Sequence, residues 1–404
     1  MSFKTMESME EETKVEERVK QDLDKRITEE IRKGHIPGVL GGACVDGKET
    51  DYFSYGKANI STGMELRRNT IFRLFSMSKP VCAVAAWILI ERGDLDLEDP
   101  VGKYLPEYKK MNCLKAGHIV PAKESVQIHH LLNMTAGLAY NDEDTIGQET
   151  EKIFAQIHRA IEAGEMMRTR EVVKNLAEVP LSFDPGEQWR YGLCADVLGA
   201  VIEVVSGSSL GDFYQKEIFM PLGMSDTGFY VPKEKQNRFA PLYKRIPSDS
   251  GDNSALICDS EYHLGLGGFL SKPAFESAGA GLVSTYQDYM GFAQMLANGG
   301  VFDHTRILSP DTVKQFTRNQ LTAKQTESIY FQHMKGYGYG NLMRVYLDKE
   351  EALVPGSENS FGWDGWCGPY MAVNMEQKKS IVFFIQVSAY ADWDLNVQII
   401  EALL

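Results

Sequence analysis

Between residues 10 and 33 apolar side chains recur every fourth position (Val15, Val19, Leu23, Ile27, Ile31) in a background rich in both charge signs. That spacing predicts an amphipathic helix with one apolar stripe. Gly34, Pro37 and Gly38 end it. Residues 39–45 and 51–58 read as strands, and Asp46-Gly47 between them is a turn signal, so the pair predicts a β-hairpin. Residues 81–90 form the longest apolar run; it is too short to span a bilayer and predicts a buried helix. Helical patterning dominates from Ser76 to Gly223, through residues 128–134, 150–178 and 195–205. Residues 224–280 are mixed and glycine-bearing, with few clear elements. Strand character returns at 369–375 and 380–387, and a last helix is expected from about Asp392 to Leu404. Strands at both ends with helices between them predict an α/β (α+β) fold whose sheet is built from the two termini around a helical insertion. Neither an internal repeat nor a low-complexity linker interrupts it.

Composition narrows the partners. A chain of 404 residues favours two structural regions over one small domain. Lys and Arg number 42 against 56 Asp and Glu, a formal charge of −14, which argues against nucleic acid or an anionic membrane as the main partner. The six cysteines, at 44, 82, 113, 194, 258 and 367, include no C-x-x-C pair and read as free thiols of a reducing compartment. The first fourteen residues hold no apolar core of a secretory signal, so the expected location is the cytoplasm.

Two S-x-x-K matches are present. Ser54 and Lys57 fall in the hairpin, where residues three apart point to opposite faces. Ser76 and Lys79 instead open directly into the apolar helix, where a hydroxyl and a backbone N–H sit beside the positive end of the helix dipole. Pro80 limits how far upstream that helix begins. An N-cap serine with a solvated lysine is the alternative on context alone. Gly207-Ser208-Ser209-Leu210-Gly211 fits a nucleophile-elbow pentapeptide, but a helix precedes it where the elbow needs a strand, so it reads as a turn between helices. His129 and His130 diverge as neighbours on a helix and no carboxylate follows at ligand spacing, so no metal is expected. The glycine-rich stretch 265–282 lacks the spacing of a phosphate cradle and reads as a loop lining a pocket.

The order of the blocks carries more. The chain reads FRLFSMSKPVCAVAAWILIERGDLDLEDPVGKYLPEY, IHHLLNMTAGL, FDPGEQWRYGLCADVLGAVIEVVSG, GAGLVSTYQDYMGFAQMLANGG and FGWDGWCGPYMAVN. From about residue 36 onward it resembles the serine β-lactamase and penicillin-binding-protein superfamily, in its class C-like branch, nearest the family VIII carboxylesterases and related acyltransferases. The resemblance implies a β-lactamase/transpeptidase-like fold: an antiparallel sheet flanked by N- and C-terminal helices, plus an inserted all-helical domain. The units would be 1–75 with 281–404, and 76–280. It further implies Ser76 as the acylated nucleophile, Lys79 as its proton-accepting partner and Tyr191 as the tyrosine of the second motif. Trp363-Asp364-Gly365 matches the third motif, and the backbone N–H groups of Ser76 and Trp366 would hold the oxyanion. A lysine must fall from about 10.4 to near 7 to act as base, roughly 4.6 kcal/mol, which burial beside Tyr191 supplies. No cofactor or metal is implied.

Two departures from β-lactamases bear on substrate. Tyr191-Gly192-Leu193 puts an apolar side chain where class C enzymes carry an amide, and Trp363 stands where they carry a lysine that meets a substrate carboxylate. With Leu193, Trp363, Asp364 and Gly365 lining the site, a small neutral ester is the expected substrate and a carboxylesterase, able to transacylate, the expected activity. An amide hydrolase of the same fold (β-lactamase, D-stereospecific peptidase or penicillin-binding enzyme) and a silent ligand- or partner-binding scaffold are the competing readings.

Overall fold

β1 (Gly38–Val45) and β2 (Lys48–Asn59) pair antiparallel and meet at Asp46-Gly47, both at positive φ (48° and 75°), the two-residue turn that Asp-Gly suits. The computed structural model describes residues 6–248, 252–259 and 262–404, with side chains described from residue 18. β3 (Met64–Glu65) follows on one edge, and the remaining strands come from the other end of the chain: β4 (Tyr337–Gly340), β5 (Met343–Tyr346), β6 (Phe361–Asp364), β7 (Tyr370–Asn374) and β8 (Lys379–Phe384). The sheet order is β4-β5-β6-β7-β8-β1-β2-β3, antiparallel throughout. Its centre joins the first strand to the last, with Gly41 opposite Phe383, so the sheet closes only when both termini are in place.

The expected helix at the start is α1 (Met6–Arg32). Leu23 and Ile27 of its stripe are buried and Val19 and Ile31 partly so; the side chain of Val15 lies outside the described residues. The apolar run becomes α2 (Ser78–Arg92), buried from Ser78 to Leu89 and ended by Gly93 at φ 78°. Pro80 sits in its first turn, where no intrahelical donor is lost. α3 (Thr145–Glu162) and α4 (Cys194–Ser206) follow in the helical stretch, then α5 (Tyr286–Ala297), which lies across β8, and α6 (Trp393–Leu403), which packs on α1. No single helix among the described residues is long and apolar enough to cross a membrane. All six cysteines are free, five of them buried.

The hairpin β4–β5 escapes the hydrophobic pattern for a physical reason. Its eight strand residues are all buried, so the apolar-polar alternation of a half-exposed strand is absent. Its turn, Asn341-Leu342, takes positive φ at both residues (54° and 60°) without the glycine that marks such turns. A second hairpin, Tyr243–Pro247 with Ser254–Cys258, lies in the stretch where no clear element is expected.

Candidate active site

Ser76 stands on the single helical turn that leads into α2, directly after Phe75, whose φ is +44°. A bulky residue in that region is strained, and the strain is held by its surroundings. Leu74 N–H donates to Leu282 O (2.9 Å), Leu282 N–H to Ser78 Oγ (3.0 Å), and the Tyr289 hydroxyl to Met77 O (2.6 Å), so the Ser76 backbone is pinned from both sides. Ser76 is 9% exposed.

Lys79, one turn on, is fully buried; its Nζ donates to Ser76 Oγ (3.1 Å), Tyr140 Oη (2.9 Å) and Gly279 O (2.9 Å) and lies 4.7 Å from the centre of the Tyr191 ring. Burial pushes its pKa down from 10.5 to about 8, against a smaller upward pull from Asp196. Neither Tyr140, Gly279 nor Asp196 is marked by sequence reasoning. Asp196 is buried on α4, and its Oδ1 accepts from Ser277 Oγ (2.6 Å) and Gly279 N–H (3.2 Å), which fixes the turn that presents the Gly279 carbonyl to Lys79. Burial raises the Asp196 carboxyl, with the Ser277 hydrogen bond and Lys79 opposing. A Cβ at Gly279 would come within 2.6 Å of Asp196 Oδ2, so the turn closes only with glycine.

Tyr191 is placed by Gly192, where a Cβ would lie 1.9 Å from Leu138 O. This close approach sets Tyr191 beside Tyr140, with ring centres 5.6 Å apart. We expect Gly192→Ala to cost about 1–3 kcal/mol through backbone displacement; thermal melting should show the loss, and ester turnover should fall with it. The Tyr191 phenol is raised far above its usual value by burial, while hydrogen bonds with Ser76 and Trp363 act the other way. Trp363 on β6 is 2% exposed and donates its indole N–H to Tyr191 Oη (2.9 Å). A neutral donor thus holds the phenol oxygen where a lysine would bring charge.

After β6 the chain passes close to Ser76. A Cβ at Gly365 would meet Leu74 O at 2.3 Å, so glycine lets the following peptide lie against the Leu74–Ser76 segment. The Trp366 N–H has no hydrogen-bond partner among the described residues, and its ring packs edge-on against Phe75 (5.1 Å) and 4.6 Å from His263. Asp364 is ion-paired with Arg344 of β5. Leu193 stands apart from the others: it is 3% exposed and packs with Ala139, Ile146 and Phe275 in a separate apolar cluster.

The other sequence candidates fall elsewhere. Ser54 Oγ donates to Leu66 O (3.3 Å) and Lys57 pairs with Glu65, both on the hairpin. Ser209 caps the short helix Leu210–Tyr214, its Oγ accepting from Asp212 N–H (3.1 Å), as a turn between helices requires. His129 and His130 do not diverge as the sequence reading holds; their ring centres are 4.1 Å apart. Both fold back on the backbone: His130 Nδ1 accepts from Gln127 N–H (3.1 Å), and His129 Nδ1 lies 3.2 Å from Leu97 O. Among the described residues no cluster of three or more His, Cys, Asp or Glu side chains could hold a metal ion. The glycine-rich stretch borders an apolar cavity of about 250 Å³ between Ile157, Met167 and Phe269.

The family model described as Beta-lactamase matches residues 19–398. Protein Rv1367c of Mycobacterium tuberculosis is 30% identical over 82% of this chain and 81% of its own length. Esterase EstB of Burkholderia gladioli is 29% identical over 86% of this chain and 85% of its own. Among solved structures, EstCE1, a hydrolase with promiscuous acyltransferase activity, superposes with a TM-score of 0.77 at 26% identity, covering 96% of this chain and 99% of that one. With a matched region that takes in the whole sheet and every residue of the Ser76 cluster, the chain belongs to the beta-lactamase family.

Proposed function

We propose that this serine hydrolase is a carboxylesterase, able to transacylate, that acts on small neutral esters through an acyl-enzyme on Ser76. The observation that carries this reading is the Ser76–Lys79–Tyr191 cluster, in which a fully buried lysine with its pKa near 8 touches the serine hydroxyl. On this reading the site lies where the sheet unit expected at 1–75 with 281–404 meets the helical unit expected at 76–280.

In this mechanism Ser76 Oγ attacks the acyl carbon and its proton passes to neutral Lys79 Nζ. The oxyanion sits against the N–H groups of Ser76 and Trp366, the first at the head of α2 and the second free of other partners among the described residues. Collapse breaks the ester C–O bond, and the departing oxygen takes a proton from the Lys79–Tyr191 pair. Tyr191 stays a phenol, since burial holds its pKa far up, so it relays a proton and does not store charge. Water, or a second alcohol, then attacks the acyl-enzyme through the same pair in reverse. Trp363 supports ester over amide substrates: its neutral indole offers no cation for the carboxylate of a β-lactam or peptide terminus.

The test is a panel of short-chain p-nitrophenyl esters, a chromogenic cephalosporin and a D-aminoacyl anilide, with mass spectrometry for an acyl adduct. We expect kcat/KM on the esters to exceed that on either amide by at least 100-fold, with the adduct on Ser76. A cephalosporin or anilide turned over better than the esters moves the assignment to an amide hydrolase. No turnover and no adduct leave a binding scaffold.

A further inference from the structure

The strand that bears Trp363 ends one residue later in Asp364, and the two side chains have different partners. Trp363 gives its indole N–H to Tyr191, while Asp364 Oδ1 accepts from Arg344 Nη1. The two members of this ion pair are unequally placed: the Arg344 side chain is 2% exposed and Asp364 is 22% exposed. The guanidinium is enclosed by the rings of Tyr337, Trp363, Tyr370 and Trp393, with its carbon 5.0–5.7 Å from their centres. The positive end of the pair is therefore sealed inside the protein and the negative end meets solvent. Asp364 Oδ2 accepts no hydrogen bond from the described residues.

Aromatic contacts connect the Asp364–Arg344 pair to the Tyr191 phenol. Phe331 packs on Tyr191 (5.4 Å) and on His333 (5.2 Å), and His333 stacks on Trp393 (4.0 Å), so one aromatic wall runs from the phenol to the residues around Arg344. His333 is lowered to about 4 by burial despite the nearby Asp364, so at neutral pH it brings no charge to cancel the carboxylate. On the mechanism above, the Lys79–Tyr191 pair hands a proton to the leaving oxygen, so the alcohol portion of the ester would extend from Tyr191 along this wall.

We propose that Asp364 sets leaving-group specificity: its open carboxylate oxygen attracts a cationic group on the alcohol portion of the ester and repels alcohols that carry a carboxylate. The inference rests on the esterase reading of Ser76 and adds the substrate class at the alcohol side. Next to Trp363 the chain then offers an anion where a recogniser of anionic substrates needs a cation.

Three butyrate esters that differ only in the alcohol test it: choline, its uncharged isostere 3,3-dimethylbutanol, and glycolate. We expect kcat/KM in that descending order, with choline butyrate at least tenfold above the glycolate ester at low salt and the gap narrowing in 0.5 M salt. Asp364→Asn should bring the choline-to-glycolate ratio below threefold. Because that change strands a buried guanidinium, the double variant Asp364→Asn with Arg344→Met serves as a second test; the ratio is read within each variant and so survives a general loss of activity. A wild-type ratio within twofold, or a tenfold ratio that persists in both variants, overturns the specificity role while leaving the esterase reading in place. If none of the three esters is cleaved and no adduct forms on Ser76, both fail together.

Discussion

Ser76→Ala is expected to lower kcat/KM on a short-chain p-nitrophenyl ester by about 10⁴-fold or more and to abolish the acyl adduct, because it removes the atom that forms the covalent intermediate. The change should leave the fold intact. Ser76 caps no helix through its side chain, and the neighbouring backbone is held by Leu282 and Tyr289 independently of the hydroxyl. Lys79 loses one of three hydrogen-bond acceptors and keeps Tyr140 and Gly279. A melting temperature within a few degrees of wild type should therefore accompany the loss of turnover. Ser209→Ala is the matching control: it deletes an N-cap, costing about 1 kcal/mol, and should retain esterase activity. An alanine variant at 76 with more than a tenth of wild-type turnover, or an adduct mapping to Ser209, would sink the assignment.

How much of this is legible in the sequence depends on how local each cause is. The α2 helix, the serine at its head and the lysine one turn on depend on contiguous residues, so the pattern marks them. The middle of the sheet is legible too, because β1, β2, β7 and β8 keep strong strand patterning around short polar turns. The rest of the Lys79 environment is not, since Tyr140 and Gly279 reach it from 61 and 200 residues away. Their marks are indirect: Gly192 and Gly279 are glycines only because Leu138 O and Asp196 Oδ2 occupy the space of a side chain, and nothing near them in sequence says so. Leu193 shows the converse. Its place in the second motif suggests a pocket residue, yet from the N-cap position just before α4 it turns into the apolar cluster with Phe275. Trp363 reads from sequence as an aromatic wall, whereas its indole N–H, which secures Tyr191, acts through geometry that only the folded sheet supplies.

Lys79 offers the sharper test of mechanism, because its two possible roles predict opposite pH dependence. Burial lowers its pKa to about 8, so the neutral amine that can accept the Ser76 proton makes up about a tenth of the enzyme at pH 7 and about a hundredth at pH 6. As a base, then, it gives a kcat/KM that rises about tenfold per pH unit below 8 and levels off above about 9. If the ammonium form did the work, by holding the oxyanion or the substrate, activity would instead fall through the same window. Lys79→Met should cost about 10²–10⁴-fold in kcat/KM and remove the inflection near 8. Lys79→Arg separates charge from basicity: a guanidinium keeps the positive charge yet does not deprotonate in this range, so it should be as inactive as the methionine variant and equally flat with pH. Rate profiles from pH 5.5 to 9.5 on one ester, with the melting temperature of each variant alongside, decide the point. An arginine variant that retains wild-type turnover, or a wild-type profile that declines through pH 8, would mean that Lys79 serves Ser76 as a cation and that the proton leaves by way of Tyr191 alone.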